Sequence, residues 1–224
     1  MIGIICAMGL EADGIIKEMN NVTFVEISGM RFHKGNIGDN EVVVCVCGVG
    51  KVFAGICAQT MILSFKIDTL INVGVAGSLD PTLKVFDVVV ATDVCQHDMD
   101  TSPIGDPPGL ISGINKVYFE ASEPLSCKIK QTADNLGIHT VRGRIATGDQ
   151  FIDTAAQRTY IKEKFDAAAC EMEGGAIAQV CAVNNVSFAL LRAISDSEGG
   201  DYSIFASKAA ENSARIICAY LNKK

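Results

Sequence analysis

A chain of 224 residues, 49% hydrophobic and 20% charged, is long enough to bury about 70% of its unfolded surface as one α/β domain over 1–224. It is too apolar to be disordered. The net charge of −7, from 19 Lys+Arg against 26 Asp+Glu, comes without a basic patch, so nucleic acid and anionic membrane surfaces are poor partners. The nine cysteines are odd in number, lack a C-x-x-C pair and sit mostly inside apolar runs. That usage predicts free, buried thiols in a reducing cytoplasm. His33, His97 and His139 stand far apart, with no metal-ligand spacing to a cysteine pair, so no metal is expected. The first residues, Met-Ile-Gly-Ile-Ile-Cys-Ala, lack the charged start of a signal peptide, and every apolar run is far short of a membrane helix.

The chain opens on a continuous apolar run, Ile2 to Ala7, which reads as a central buried strand. Glu11 to Met19 has helical spacing. Val22 to Ile27 and Met30 to Ile37 read as a hairpin turning at Ser28-Gly29, and Glu41 to Cys47 as a further strand. Gly48 and Gly50 then lead into a helix over Val52 to Phe65. Thr69 to Val75 is predicted as a strand ending in a glycine turn, Gly74-Val75-Ala76-Gly77-Ser78, and Val85 to Ala91 as the next strand. Asp98 to Gly113 is a long loop with three prolines, of a length usually tied to function. Helices over Ser126 to Leu136, Ala155 to Phe165, Glu173 to Val183 and Ser203 to Leu221 alternate with strands over Val141 to Thr147, Ala168 to Glu171 and Ser187 to Ile194. Such alternation predicts a mixed or mainly parallel sheet with helices on both faces.

Ligands of open α/β sheets bind beyond the carboxyl ends of the strands, so the polar residues there come first. They are Glu11, Ser78, Asp149, Glu171 with Glu173, and Ser195 with Asp196. Each has an ordinary structural explanation. Glu11 suits the first turn of a helix, where a carboxylate gains about 0.3–1 kcal/mol; Asp149 suits a turn or helix cap, Glu171 and Glu173 a helix start, and Asp196 a loop. Arg192 is different, because a guanidinium inside an apolar strand needs carboxylate partners. The turns at Gly48-Val49-Gly50-Lys51 and Gly74 to Gly77 let backbone N–H groups approach a ligand, yet neither G-x-x-x-x-G-K-[ST] nor G-x-G-x-x-G occurs. Nucleoside triphosphates and dinucleotide cofactors are therefore unsupported.

Met8-x-x-Glu11, Gly48-Val49-Gly50-Lys51, Gly74-Val75-Ala76-Gly77, Thr147-Gly148-Asp149-Gln150-Phe151-Ile152, Glu171-Met172-Glu173 and Arg192-Ala193-Ile194-Ser195-Asp196 occur in that order. Over essentially its whole length the sequence resembles the 5′-methylthioadenosine/S-adenosylhomocysteine nucleosidases of the purine nucleoside phosphorylase and uridine phosphorylase superfamily. The resemblance implies a three-layer α/β/α sandwich around a central twisted mixed sheet, a homodimer, and hydrolysis of the adenine–ribose bond without a metal or organic cofactor. It makes Asp196 the general acid at adenine N7, with Ser195 orienting it, and Glu11 the base that positions the attacking water, aided by Arg192. Glu173 would accept hydrogen bonds from the ribose hydroxyls beside Met172. Phe151 would stack on adenine, with Ile152 reading its edge. Met8, Val49 and Tyr202 would border the alkylthio group, whereas Phe205 reads as core.

Two departures stand out. Val75 occupies a position where many family members carry Ser or Thr, which removes one contact to the water. The loop after Gln96 matches the family at His97-Asp98 and Asp100 but is poor in aromatics, leaving Ile104 to reach a neighbouring subunit's 5′ pocket. Three rival readings remain: a phosphorylase using phosphate, for which only Lys84 supplies a nearby cation; a non-catalytic nucleoside binder, which would have shed its acids; and a sister hydrolase acting on a larger nucleoside such as aminofutalosine.

Overall fold

The computed structural model describes residues 1–196 and 202–223. Its strands are β1 (Ile2–Cys6), β2 (Asn20–Ile27), β3 (Met30–Ile37), β4 (Asn40–Val46), β5 (Thr69–Ser78), β6 (Val88–Gln96), β7 (Phe119–Glu120), β8 (Thr140–Thr147), β9 (Ala167–Glu171) and β10 (Ser187–Asp196). The helices are α1 (Gly9–Lys17), α2 (Lys51–Phe65), α3 (Glu123–Asn135), α4 (Ala155–Phe165), α5 (Gly174–Asn184) and α6 (Tyr202–Leu221), with one 3-10 turn at Ser102–Ile104.

β1 lies parallel between β4 and β5, and β4, β3 and β2 form an antiparallel meander at one edge. β10 pairs parallel with β5 and antiparallel with β6. β6 continues to β8, β8 to β9, and β9 returns to the end of β5. Half of the mixed sheet thus closes on itself, a feature that alternation of strands and helices does not reveal. Closure brings the carboxyl ends of β5, β9 and β10 together around one space.

Successive strand residues point to opposite faces, and the two cores follow that period of two. Ile5, Val43 and Leu190 face α2 and α5, packing with Ala58, Met61, Ile177 and Ala178. Their neighbours Ile4, Val44 and Leu191 face α1, α3 and α6, packing with Ile15, Ile129, Ala209 and Ile217. α4 covers the closed part of the sheet through Ile161 and Phe165. Helices on both faces of a mixed sheet are the architecture expected from the sequence.

Several boundaries differ from the expected ones. Gly74 to Gly77 is not a turn but the last part of β5. Its glycines mark close approaches: a Cβ on Gly74 would overlap Arg192 and Glu11, and one on Gly77 would press on Asp196. β6 starts at Val88 rather than Val85 and runs on to Gln96, and the two-residue β7 pairs with it. β10 extends to Asp196, so this aspartate ends a strand and is not in a loop. At the hairpin between β2 and β3, Ser28 and Gly29 take φ of 54° and 74°, the left-handed pair that a two-residue turn requires.

Candidate active site

One cavity opens at the carboxyl ends of β1, β5, β9 and β10. Its wall includes Met8, Glu11, Val49, Phe151, Ile152, Met172, Glu173, Ser195, Asp196 and Tyr202, every residue that the resemblance assigns to the site except Arg192; the strand-end candidates Ser78 and Asp149 lie outside it. Ala7, Val75, Ala76, Gly77, Gln150, Cys170 and Glu171 complete it. The apolar side is built at the mouth: Phe151 and Tyr202 meet edge to face at 5.5 Å, and the Tyr202 hydroxyl sits 3.4 Å from the Met8 sulfur. Phe205 lies away from this group, with its ring 5.8 Å from that of Phe86.

Arg192 stands behind the wall with 1% of its side chain exposed. Its Nη2 donates to Asn72 Oδ1 at 2.8 Å, to Glu171, and to Glu173 Oε2 at 3.3 Å, while Nη1 lies 3.8 Å from Glu11 Oε1. Burial works against its charge, but Glu171, Glu173 and Glu11 outweigh that and hold it firmly protonated. The guanidinium therefore makes no contact with the cavity; it sets the charge and aim of the acids that do.

Each acid is held differently. Glu11, in the first turn of α1, accepts the N–H groups of Ala7 and Met8 at 2.9 Å and of Val75 at 3.0 Å. The helix-start role and the cavity position are thus one arrangement, and Val75 contributes through its backbone. Burial raises the Glu11 pKa against Arg192 and these three bonds. Glu171 is occupied by Thr147, Arg192 and the N–H groups of Glu173 and Gly174. Glu173 accepts Gly50 N–H at 2.8 Å. Burial pushes its pKa up to about 7, opposed by Arg192 and reinforced by the neighbouring Glu171. Asp196 accepts the Ser195 hydroxyl at 2.9 Å on one oxygen and the Arg158 guanidinium at 2.9 Å on the other.

A ring of polar contacts that the sequence reading did not assign locks two loops together. Lys51 Nζ donates to Asp98 Oδ1 at 2.7 Å, Asp98 Oδ2 accepts Asp149 N–H at 2.9 Å, and Asp149 Oδ1 accepts Lys51 N–H at 2.8 Å. Asp149 therefore fastens two loops, a role beyond the turn or cap expected from the sequence. The ring joins Gly50, which holds Glu173, to the segment carrying Phe151 and Ile152. Lys51, Asp98 and Asp149 lie in quoted motifs, so their presence was legible; their mutual contact was not, since it spans separate loops.

A set of acids facing one cavity, fixed by a buried arginine, fits a known family. Residues 1–222 match the model of the phosphorylase superfamily. The protein belongs to it. Within that superfamily the chain falls with the 5′-methylthioadenosine/S-adenosylhomocysteine nucleosidases. It is 37% identical, over 100% of both chains, to the nucleosidase of that name from Staphylococcus aureus. The Neisseria meningitidis nucleosidase, solved with methylthio-immucillin-A, superposes with a TM-score of 0.95 at 31% identity, covering 99% of this chain and 98% of that one. A futalosine hydrolase from Helicobacter pylori gives a TM-score of 0.94 at 34% identity, covering 99% and 97%.

The superfamily frame makes the Arg192 cluster testable as a structural element. Arg192→Met strands buried carboxylates, which costs about 3–5 kcal/mol where they are charged. As pH falls they take up protons and the penalty shrinks. Denaturant midpoints should therefore show a large loss for Arg192→Met at pH 8 and a smaller one at pH 5. An equal loss at both values would contradict the electrostatic role.

Proposed function

We propose that the protein hydrolyses the N-glycosidic bond of 5′-methylthioadenosine and S-adenosylhomocysteine, releasing adenine and the 5-thioribose derivative. The observation that carries this reading is the charge of the cavity wall. Glu11, Glu171, Glu173 and Asp196 line it, and no Lys, Arg or His does so among the described residues. A phosphate nucleophile needs cations, and here it would meet acids; water would not be repelled. The same acids are the ones a mere nucleoside binder has no need to keep.

In this reading, Asp196 gives a proton to adenine N7 as the bond to ribose breaks, with Ser195 fixing its orientation. Glu11 draws the attacking water onto the anomeric carbon from the β1 side. Arg192 holds Glu11 and Glu173 in place from behind, and Glu173 anchors the ribose hydroxyls beside Met172. Phe151 covers the purine and Ile152 presents backbone to its edge. Met8, Val49 and Tyr202 receive the thioether, where a methionine suits a polarisable sulfur. All steps use side chains of this chain, with no metal or cofactor invoked. Because the Glu11 pKa is raised by burial, the rate is expected to fall on acidification at a higher pH than an ordinary glutamate would give.

A second reading is favoured by the likeness to the Helicobacter pylori futalosine hydrolase. Val49 and Phe151 at the mouth are half exposed, so a longer 5′ substituent can project outward while the purine and ribose contacts stay the same. Adenine nucleosides with bulky 5′ groups are accordingly proposed as additional substrates.

The homodimer is also a proposal. Val52, Phe53, Ile56 and Leu63 are exposed along α2, and Ile104 is 82% exposed. An uncovered apolar face of this kind marks a protein contact, and Ile104 would then reach the neighbouring subunit's 5′ pocket. We further propose a single domain acting in the cytoplasm without nucleic-acid partners. Nine free cysteines, the acidic balance of −7 and the lack of a membrane-length apolar helix among the described residues support this.

Two experiments follow. Purified protein treated with chelator should release adenine from 5′-methylthioadenosine, and Asp196→Asn should lower kcat by about 10²–10⁴-fold; activity that requires added metal would refute the mechanism. Sedimentation should give a dimer that Val52→Asp with Ile56→Asp converts to a monomer, and a monomeric parent protein would rule the interface out.

A further inference from the structure

Arg158 presents a problem that the proposed function leaves open. Among the described residues, the proton donor Asp196 is hydrogen-bonded to a guanidinium that stands outside the nucleoside cavity. Arg158 Nη2 donates to Asp196 Oδ2 at 2.9 Å, and Nη1 donates to the Ser78 carbonyl at 2.9 Å. Gly77 lies against both: a Cβ there would sit 3.0 Å from Asp196 Oδ2 and 3.4 Å from Arg158 Nη1. The two side chains are 6% and 12% exposed, so solvent screens the pair little.

The place of Arg158 in the chain is also unusual. It falls in the first turn of α4, whose N-cap is Thr154. A cation there opposes the helix dipole by a few tenths of a kcal/mol to about 1 kcal/mol. Local helix chemistry therefore does not explain an arginine at 158; its partners at the ends of β5 and β10 do. Nor does it belong to the nucleoside cavity. It lines a separate outer cleft with Ser78, Asp80, Lys162 and Glu163, and so reaches Asp196 from outside the cavity.

We infer that Arg158 is a positioning residue for the general acid: from behind the cavity it holds Asp196 by one oxygen and fixes the direction in which the carboxyl faces the substrate. The inference rests on the nucleosidase reading. With Oδ2 held by Arg158 and Oδ1 by Ser195, the carboxyl plane is fixed before substrate arrives. Proton transfer to N7 then returns Asp196 to a carboxylate that already has its cation, while the positive charge left on the sugar is removed as water adds and gives its proton to Glu11.

Few other groups among the described residues face the pair. Cys170 on β9 is kept as a neutral thiol by burial, its pKa pushed up to about 12, and burial also raises that of Tyr202 on α6. On the solvent side Asp80 is held as a carboxylate by hydrogen bonds from Thr82, and Lys162 is paired with Asp166. Glu11 and Glu173 belong to Arg192 instead.

The test is kcat and KM for adenine release from 5′-methylthioadenosine, measured for the parent protein, Arg158→Met, Arg158→Gln and Arg158→Lys. Gln keeps a donor for the Ser78 carbonyl and guards against misfolding of the Met variant. Both neutral variants should lower kcat by about tenfold or more while KM stays close to the parent's, and Lys should stay close to the parent in both. A kcat equal to the parent's in Met and Gln, or a loss confined to KM, would overturn the role of Arg158. A parent protein that releases no adenine at any pH would instead overturn the nucleosidase reading.

Discussion

The site depends on a single buried cation. Arg192, carried by an apolar strand in the middle of the sheet, gathers Glu171, Glu173 and Glu11, which would otherwise repel one another in a space with little water. One charge among three means the cluster stays electronegative, and burial then raises the pKa of Glu11 and Glu173. A cavity bordered by such a cluster is suited to stabilising positive charge as it develops on a sugar and unsuited to holding an anion. The fold serves this arrangement. Closure of the sheet by β10 brings Arg192 beside β5, and Gly74 on that strand supplies the space in which Arg192 and Glu11 meet.

Around that centre the protein divides its labour by depth. Asn72 and Thr147, outside the cavity wall, are engaged by hydrogen bonds and fix geometry. In the wall itself stand Glu11, Glu171, Glu173 and Asp196. At the mouth Phe151, Tyr202, Met8 and Val49 are apolar and partly open. The Lys51–Asp98–Asp149 ring ties the ribose-side loop to the purine-side loop, so distances across the cavity are set by polar contacts between loops as well as by strands.

Much of this was legible in the chain. Continuous apolar runs such as Ile2 to Ala7 and Phe188 to Leu191 mark strands buried on both faces, and the need of Arg192 for carboxylate partners follows from its apolar neighbours alone. The residues beyond strand ends converge because strand ends converge. What was not legible depends on partners distant in sequence. Gly74 to Gly77 reads as a turn until Glu11, Arg192 and Asp196 are seen to occupy the space where side chains would stand. β7, with two residues, is too short for a periodic signal. Arg158 sits near the start of α4, and nothing near it in sequence announces Asp196, 38 positions away.

The central claim is that an acidic wall makes water the nucleophile. Hydrolysis of 5′-methylthioadenosine in ¹⁸O-enriched water, with inorganic phosphate in large excess, tests it most directly through the mass of the sugar product. The account predicts a free thiosugar carrying ¹⁸O on its anomeric carbon at the enrichment of the solvent, at a rate indifferent to phosphate. Formation of the sugar 1-phosphate, without label from water at that carbon, would contradict it.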